Sequence, residues 1–379
     1  MRVVVAPDKF KGSLTAAGVA QAVADGMRDV RPDVTTTLAP VADGGDGTVA
    51  AAVAAGYREV TVTVGGPTGE PVVAPYAVRS SRAVVELAAA CGIDLLPGRR
   101  LRPLTSSTFG LGQVIGHAID HGAREIMLGL GGSASTDGGA GMLAALGARL
   151  LTVDGPLTDG GGAALSRVAA VDLTDLRTRV AGVRFVVASD VDNPLLGSRG
   201  AAAVFGPQKG ADPDQVRQLD SALANFAVAV GAALDAGGNA SDAMAFARQP
   251  GAGAAGGTGF AALAVLGAEL RQGIQLILEL LNFDATLTGA DLVVTGEGSL
   301  DEQSLAGKAP VGVADAAACA GVPVVAVAGR NTLPTARLAA AGITGVYPLS
   351  ELEPDVSKSM NNAAQLLREV GRQIAKEWL

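Results

Sequence analysis

Short apolar runs, each closed by a polar stretch, mark both ends of the chain. The runs at residues 2–6, 35–39, 291–295, 323–328 and 345–348 are rich in Val, Ile or Thr and do not alternate in their centres. That pattern belongs to strands buried on both faces. Between the first two runs, Ala17, Val19, Ala20, Val23, Ala24 and Met27 recur at helical spacing, with Ser13 as the expected N-cap. A strand, a helix and a second strand in this order predict a right-handed βαβ unit. Residues 308–320 and 361–378 read as further helices. The expected fold class is α/β: a flavodoxin-like doubly wound parallel sheet domain from residues 1–62 and 285–379, with a second α/β domain inserted over 63–284. The middle segment carries its own expected strands near 59–64, 83–87, 125–130 and 183–189, and a helix over 142–150.

Parallel strands would send PDKFKGS (7–13), PVADGGDGT (40–48), TGEGSLDEQS (295–304) and AGRN (328–331) out of one edge of one sheet. That edge is where open α/β sheets bind ligands. Taken singly, Asp43 reads as a helix cap and Lys9 or Lys11 as a solvated loop lysine. Asp8, Lys9, Lys11, Asp43, Asp46, Glu297 and Asp301 all fall at the same edge, however, and a mixture of acids and lysines suits Mg²⁺ together with an anionic substrate.

The middle segment adds three stretches. GLGGSASTDGGAG (129–141) follows an apolar run and sets Ser133, Ser135, Thr136 and Asp137 before the expected helix, where free N–H groups and the helix dipole favour an anion. SDVDNPLLG (189–197) puts Asp190 and Asn193 just past a strand, and GPQKGA with Lys209 follows. GAGAAGGTGFA (251–261) reads first as a hinge or plain surface loop and second as a phosphate loop, with Gly257 and Thr258 as its nucleotide contacts.

Composition narrows the classes. A chain of 379 residues exceeds what one core usually serves, so two domains are expected. With 49% hydrophobic but only 3% aromatic residues, Ala, Val and Leu must fill the cores. A net charge of −8 without a basic cluster speaks against a nucleic-acid or anionic-membrane partner. No leader and no membrane-length apolar run stand out, which gives a cytoplasmic expectation. Cys91 and Cys319 read as two buried small hydrophobes. His117 and His121 sit four apart but lack a third ligand, and read as surface histidines.

Two nucleotide signatures fail on inspection. AGKAP (306–310) has the Gly-Lys pair of a P-loop, but Ala309 replaces its Ser or Thr and Glu302 its first glycine. GLGGSA (129–134) matches the permissive dinucleotide pattern, yet five further residues separate it from the expected helix.

PDKFKGSLTA, PVADGGDGT, GLGGSASTDGGAGML, SDVDNPLLG, FGPQKGA and TGEGSLDEQSLAGKAP, in this order, resemble the bacterial glycerate kinase family in its first structural class. The resemblance spans essentially the whole chain. It departs at Ser135-Thr136, where many relatives have Thr-Asn, and at Ser299, where many have Arg. It implies ATP- and Mg²⁺-dependent phosphorylation of D-glycerate, with 2-phosphoglycerate favoured over the 3-phosphate and the active site in a cleft between the domains. On this reading Asp190 is the general base, Lys9 and Lys11 meet anionic groups, and Asp43 completes the catalytic set. Ser133, Ser135, Asp137, Gly257 and Thr258 contact the nucleotide. Asp8, Ser13, Gly44, Asp46, Asn193, Glu297 and Asp301 contact the substrate, and Asp46 and Asp190 contact the metal. Two other functions stay open: an NAD-dependent hydroxy-acid dehydrogenase using GLGGSA, and a small-acid-binding module without chemistry. The oligomeric state is open, with a homodimer as one option.

Overall fold

A computed structural model describes residues 1–236 and 243–379, which divide into two compact units: 1–56 with 272–379, and 57–271. The first unit holds a five-stranded, fully parallel sheet. Across it run Ile343–Pro348, Val324–Asn331, Leu292–Leu300, Arg2–Pro7 and Thr35–Leu38. In the unit's own chain order this is 2-1-3-4-5, the flavodoxin-like arrangement, whose switch point lies between Arg2–Pro7 and Leu292–Leu300. Val3, Val4 and Val5 are wholly buried, as are Val293 and Val294 beside them, because helices cover both faces of a parallel sheet.

The helix Ala16–Val30 forms at the expected place, but its cap is Thr15, whose Oγ1 accepts the Gly18 N–H at 3.1 Å. Ser13, the expected N-cap, instead donates to the Met360 carbonyl at 2.6 Å. This helix packs against the terminal helix Ala363–Trp378, burying Val19, Val23 and Met27 against Leu367, Val370 and Ile374. Their backbones meet at Gly26 and Gly371, where an added Cβ would collide with the carbonyl oxygens of Arg368 and Val23. Gly26→Leu is therefore expected to force the helices apart and destabilise the unit by about 1–3 kcal/mol, the usual cost of overpacking. A urea midpoint unchanged from wild type would refute this.

The second unit is built on a six-stranded mixed sheet ordered Glu269–Arg271, Arg184–Ala188, Glu125–Gly129, Arg82–Glu86, Pro71–Arg79 and Arg58–Gly65. The first four run parallel, and the last two are antiparallel additions. Pro71–Arg79 was not among the expected strands, and it carries prolines at both Pro71 and Pro75. Pro75 pairs opposite Thr61, and this hairpin places residues 58–62 in the second unit's sheet. At the other end, residues 272–284 belong to the first unit, where the helix Gly273–Leu280 packs on the Ala309–Cys319 helix.

Four more local expectations change. The helix expected over 142–150 is Ala140–Ala145, because Gly147, at φ +110°, turns the chain into the strand Arg149–Thr152. Residues 251–261 form no hinge or surface loop. All but the part-buried Ala255 are buried, and most belong to the helix Ala254–Ala264. Cys91 is buried, with its thiol pushed up to about 12 by burial, whereas Cys319 is exposed. His117 and His121 stack at 4.0 Å, and His117 Nδ1 lies 3.0 Å from the Tyr76 hydroxyl. Among the described residues no helix is long and apolar enough to cross a membrane.

Candidate active site

In the first unit the chain ends its central strand at Pro7, and the Asp8 amide donates to the Gly296 carbonyl at 2.7 Å. This bond draws the Asp8 carboxyl into the switch point between the two central strands, where it is buried. Burial, together with the negative charge of Asp43, pushes Asp8 up to about 7, although the Lys9 amide donates to its Oδ1 at 2.6 Å. Glu297, on the neighbouring strand, is also raised by burial, against the pull of the Ser304 hydroxyl and Lys308. Its Oε1 is buried and has no hydrogen-bond partner among the described residues. Asp8, Asp43 and Glu297 thus form one acidic group, since Asp43 raises both of the others.

Cations flank that group. Lys9 Nζ pairs with Asp46 Oδ2 at 2.8 Å and also donates to the Asp46 carbonyl, which ties the first loop to the second. Lys11 is exposed and has no ion-pair partner among the described residues. Asp43 Oδ1 accepts the Gly45 amide at 3.2 Å, and Gly44 turns the loop at φ +85°. Asp301 accepts from the Gln303 amide at 2.9 Å and from Ser299 Oγ at 3.4 Å, so it holds the turn that begins there. Two cations at this edge escaped the sequence reading. Lys308 acts on Glu297, and Arg330 donates to Ser299 Oγ at 2.9 Å. Each lies within a stretch already singled out, AGKAP and AGRN: Arg330 falls at the C-terminal end of the strand Val324–Asn331, which was the signal available, whereas Lys308 stands just before the helix Ala309–Cys319.

In the second unit the loop after Glu125–Gly129 is held by Asp137. Its carboxylate accepts the Thr108 amide and hydroxyl at 2.8 Å each, the Gly139 and Gly141 amides at 3.3 Å, and Ser107 Oγ at 3.5 Å. Thr108 Oγ1 accepts in turn from the Met142 amide at 2.9 Å. Asp137 therefore pins the starts of the helices Phe109–Asp120 and Ala140–Ala145 to one another. Ser133 bridges to Gly92, while Ser135 and Thr136 lie fully inside, with hydroxyls that lack partners among the described residues. Lys209, only 1% exposed, donates from Nζ to the Ser135 carbonyl. Burial pushes its ammonium down to about 7, and Asp137 pulls the other way.

Behind this loop, Ala255, Gly256 and Gly257 take three consecutive left-handed conformations. The Gly256 carbonyl accepts the Gly138 amide at 2.9 Å, and a side chain at Gly256 would overlap the Ser135 carbonyl. Thr258 is buried and donates to the Ala255 carbonyl at 2.9 Å. Gly257 and Thr258 thus back the loop from within the unit. Past the strand Arg184–Ala188, Asp190 is exposed, and Asn193 donates to the Arg199 carbonyl at 2.8 Å. The five residues between GLGGSA and the helix Ala140–Ala145 are present as expected, so that motif makes no pyrophosphate turn and the dehydrogenase reading loses its cofactor site.

Among the described residues no group of three His, Cys, Asp or Glu side chains could hold a metal. The unpartnered Glu297 Oε1 nonetheless fits Mg²⁺, which keeps several waters and is bound by one or two carboxylates plus substrate phosphate oxygens.

The model of the glycerate kinase family matches residues 3–379. A glycerate kinase of Bacillus subtilis (strain 168) is 42% identical over 378 residues, covering 99% of this chain and 97% of the relative. A glycerate 2-kinase of Escherichia coli (strain K12) is 40% identical, covering 99% and 97%. A crystal structure named for a glycerate kinase 2 of Salmonella typhimurium LT2 superposes with a TM-score of 0.82 at 41% identity, over 99% of this chain and 97% of that one. A family match over nearly every residue, with sequence and fold in agreement, means that the chain belongs to the glycerate kinase family, whose enzymes are phosphotransferases with an alcohol acceptor.

Proposed function

We propose that this protein transfers the γ-phosphoryl group of ATP to the 2-hydroxyl of D-glycerate, giving 2-phosphoglycerate and ADP. The observation that carries the reading is the buried acid Asp8, raised to about 7 at the switch-point edge and flanked by Lys9 and Lys11. A general base works best with a pKa near the operating pH. Asp8 would accept the proton of the attacking hydroxyl as the new O–P bond forms and the bond to the bridging oxygen of ADP breaks. Lys9 and Lys11 would neutralise the glycerate carboxylate and the phosphoryl oxygens, since charge neutralisation and positioning carry most of the catalysis in phosphoryl transfer. Mg²⁺ would neutralise charge on the β- and γ-phosphates, with Glu297 as one candidate carboxylate and either Asp46 or Asp190 as the second.

Asp190, the base expected from the sequence, is exposed, whereas Asp8 is buried and raised, so Asp8 takes that role in the proposal and Asp190 keeps the metal side. Asp43 tunes Asp8 by its charge, and Ser13, Gly44, Asn193 and Asp301 order the loops around the substrate. On the nucleotide side, Ser133 would face the phosphates, with Ser135, Asp137, Gly257 and Thr258 shaping its loop from behind. The residues come from both units, and the reaction is proposed for the cleft between them. ATP as phosphoryl donor favours a cytoplasmic location. The E. coli relative's name supports the 2-position.

Phosphorus NMR of the product decides it. A phosphate on C2 couples to one carbon-bound proton and gives a doublet, whereas a phosphate on C3 couples to two and gives a triplet. A triplet would overturn the regiochemistry, and no ATP consumption with D-glycerate and Mg²⁺ would overturn the activity.

A further inference from the structure

A cavity of about 610 Å³ in the second unit has no part in the chemistry above. Its size suits a drug- or nucleoside-sized ligand. Its walls are the turn after Arg58–Gly65, residues 105–113 at the start of the helix Phe109–Asp120, one face of Ala140–Ala145, and the turn at 158–161. Among the described residues no Lys, Arg or His lines it. Its two acids are both engaged: Asp137 accepts the bonds described above, and Asp159 pairs with Arg167. A phosphate or carboxylate placed inside would lose its water and gain no cation, a cost of several kcal/mol. The occupant must therefore be neutral.

Two features select a flat, hydrogen-bonding group. Phe109 lines the cavity and is 44% exposed, in a chain with only 3% aromatic residues. An aromatic face left open in a cavity wall offers a stacking surface. Gln113 spends its Oε1 on the Gly65 amide at 2.8 Å, and its Nε2 donor has no partner among the described residues. Thr105, Ser107 and Thr158 add hydroxyls to the same wall. The cavity also borders the glycine loop, since Asp137, Ala140 and Gly141 line it.

We infer that this cavity binds the adenosine moiety of ATP, base against Phe109, leaving the phosphates outside walls that offer them no cation. The inference rests on the kinase reading for its ligand, and it assigns the nucleoside to the second unit.

The test uses the full chain and adenosine itself, which carries no phosphate. Saturation-transfer NMR should show adenosine binding to wild type. Ala144→Phe, which fills the cavity, should abolish that signal and raise the KM for ATP by about tenfold or more, leaving the KM for D-glycerate within about twofold. Phe109→Ala, at a partly exposed position, should raise the KM for ATP by about tenfold with an unchanged Tm, and it decides the matter if Ala144→Phe fails to fold. An unchanged KM for ATP in Phe109→Ala, or an undiminished adenosine signal in a folded Ala144→Phe, would overturn the assignment. A wild-type protein that binds adenosine in this way yet never phosphorylates glycerate would overturn the kinase reading and leave the cavity assignment standing.

Discussion

Asp8→Asn should lower kcat by about 10²- to 10⁴-fold, the usual contribution of positioned proton transfer, while raising the stability of the protein above neutral pH. The two effects share one cause. In the fold, burial and Asp43 hold the Asp8 proton up to about pH 7, whereas in the unfolded chain the carboxyl titrates near its ordinary value of 3.8. Between these values the folded state binds more protons than the unfolded one, so stability falls as pH rises from about 4 to about 7 and is not recovered above. Asparagine is neutral throughout and escapes that loss. It also cannot accept a proton, so the rise of kcat/KM with pH through about 7 should disappear with it. Rate profiles and melting curves of the two proteins at pH 5 and pH 8 check both halves. Near-wild-type turnover in the variant would remove Asp8 from the chemistry, and equal melting temperatures at pH 8 would remove the raised proton affinity.

Asp137→Ala should be the most damaging single change in the second unit, costing about 3–5 kcal/mol, the range for removing one member of a buried charged group. It would orphan the Thr108 amide and hydroxyl and the Gly139 and Gly141 amides. It would also strip Lys209 of its nearest compensating charge. For a unit of this size each kcal/mol lowers Tm by about 2–4 °C, so a fall of about 10 °C is expected. A pure phosphate-binding role predicts the opposite pattern, a large rise in the KM for ATP with Tm unchanged. Calorimetry alongside kinetics separates the two, and an unaltered melting curve would sink the scaffold role.

Continuous valine runs at 3–5 and 293–294 carried the parallel sheet in one dimension, because strands covered on both faces have no polar side to show. The polar stretches that follow them then had to leave by one edge, so Asp8, Lys9, Asp43, Asp46 and Glu297 could be grouped from sequence alone. Their roles could not be ranked that way. A carboxylate's proton affinity depends on the water it loses and the charges beside it, and only the pairing of residues 2–7 with 292–300 sets Asp8 in a buried place beside Asp43. The same limit hid the second unit's interior. GAGAAGGTGFA has the composition of a flexible loop, yet it becomes a buried support because its missing side chains let it lie against the Ser135 and Thr136 backbone. Nothing in GPQKGA marks Lys209 for burial until the tertiary structure encloses it, and the cavity exists only where segments up to about a hundred residues apart close around it. Local pattern determined the buried parallel strands of the first unit and at which end each polar stretch leaves. Burial, proton affinity and cavity walls are properties of neighbours distant in sequence, and the tertiary structure alone decided them.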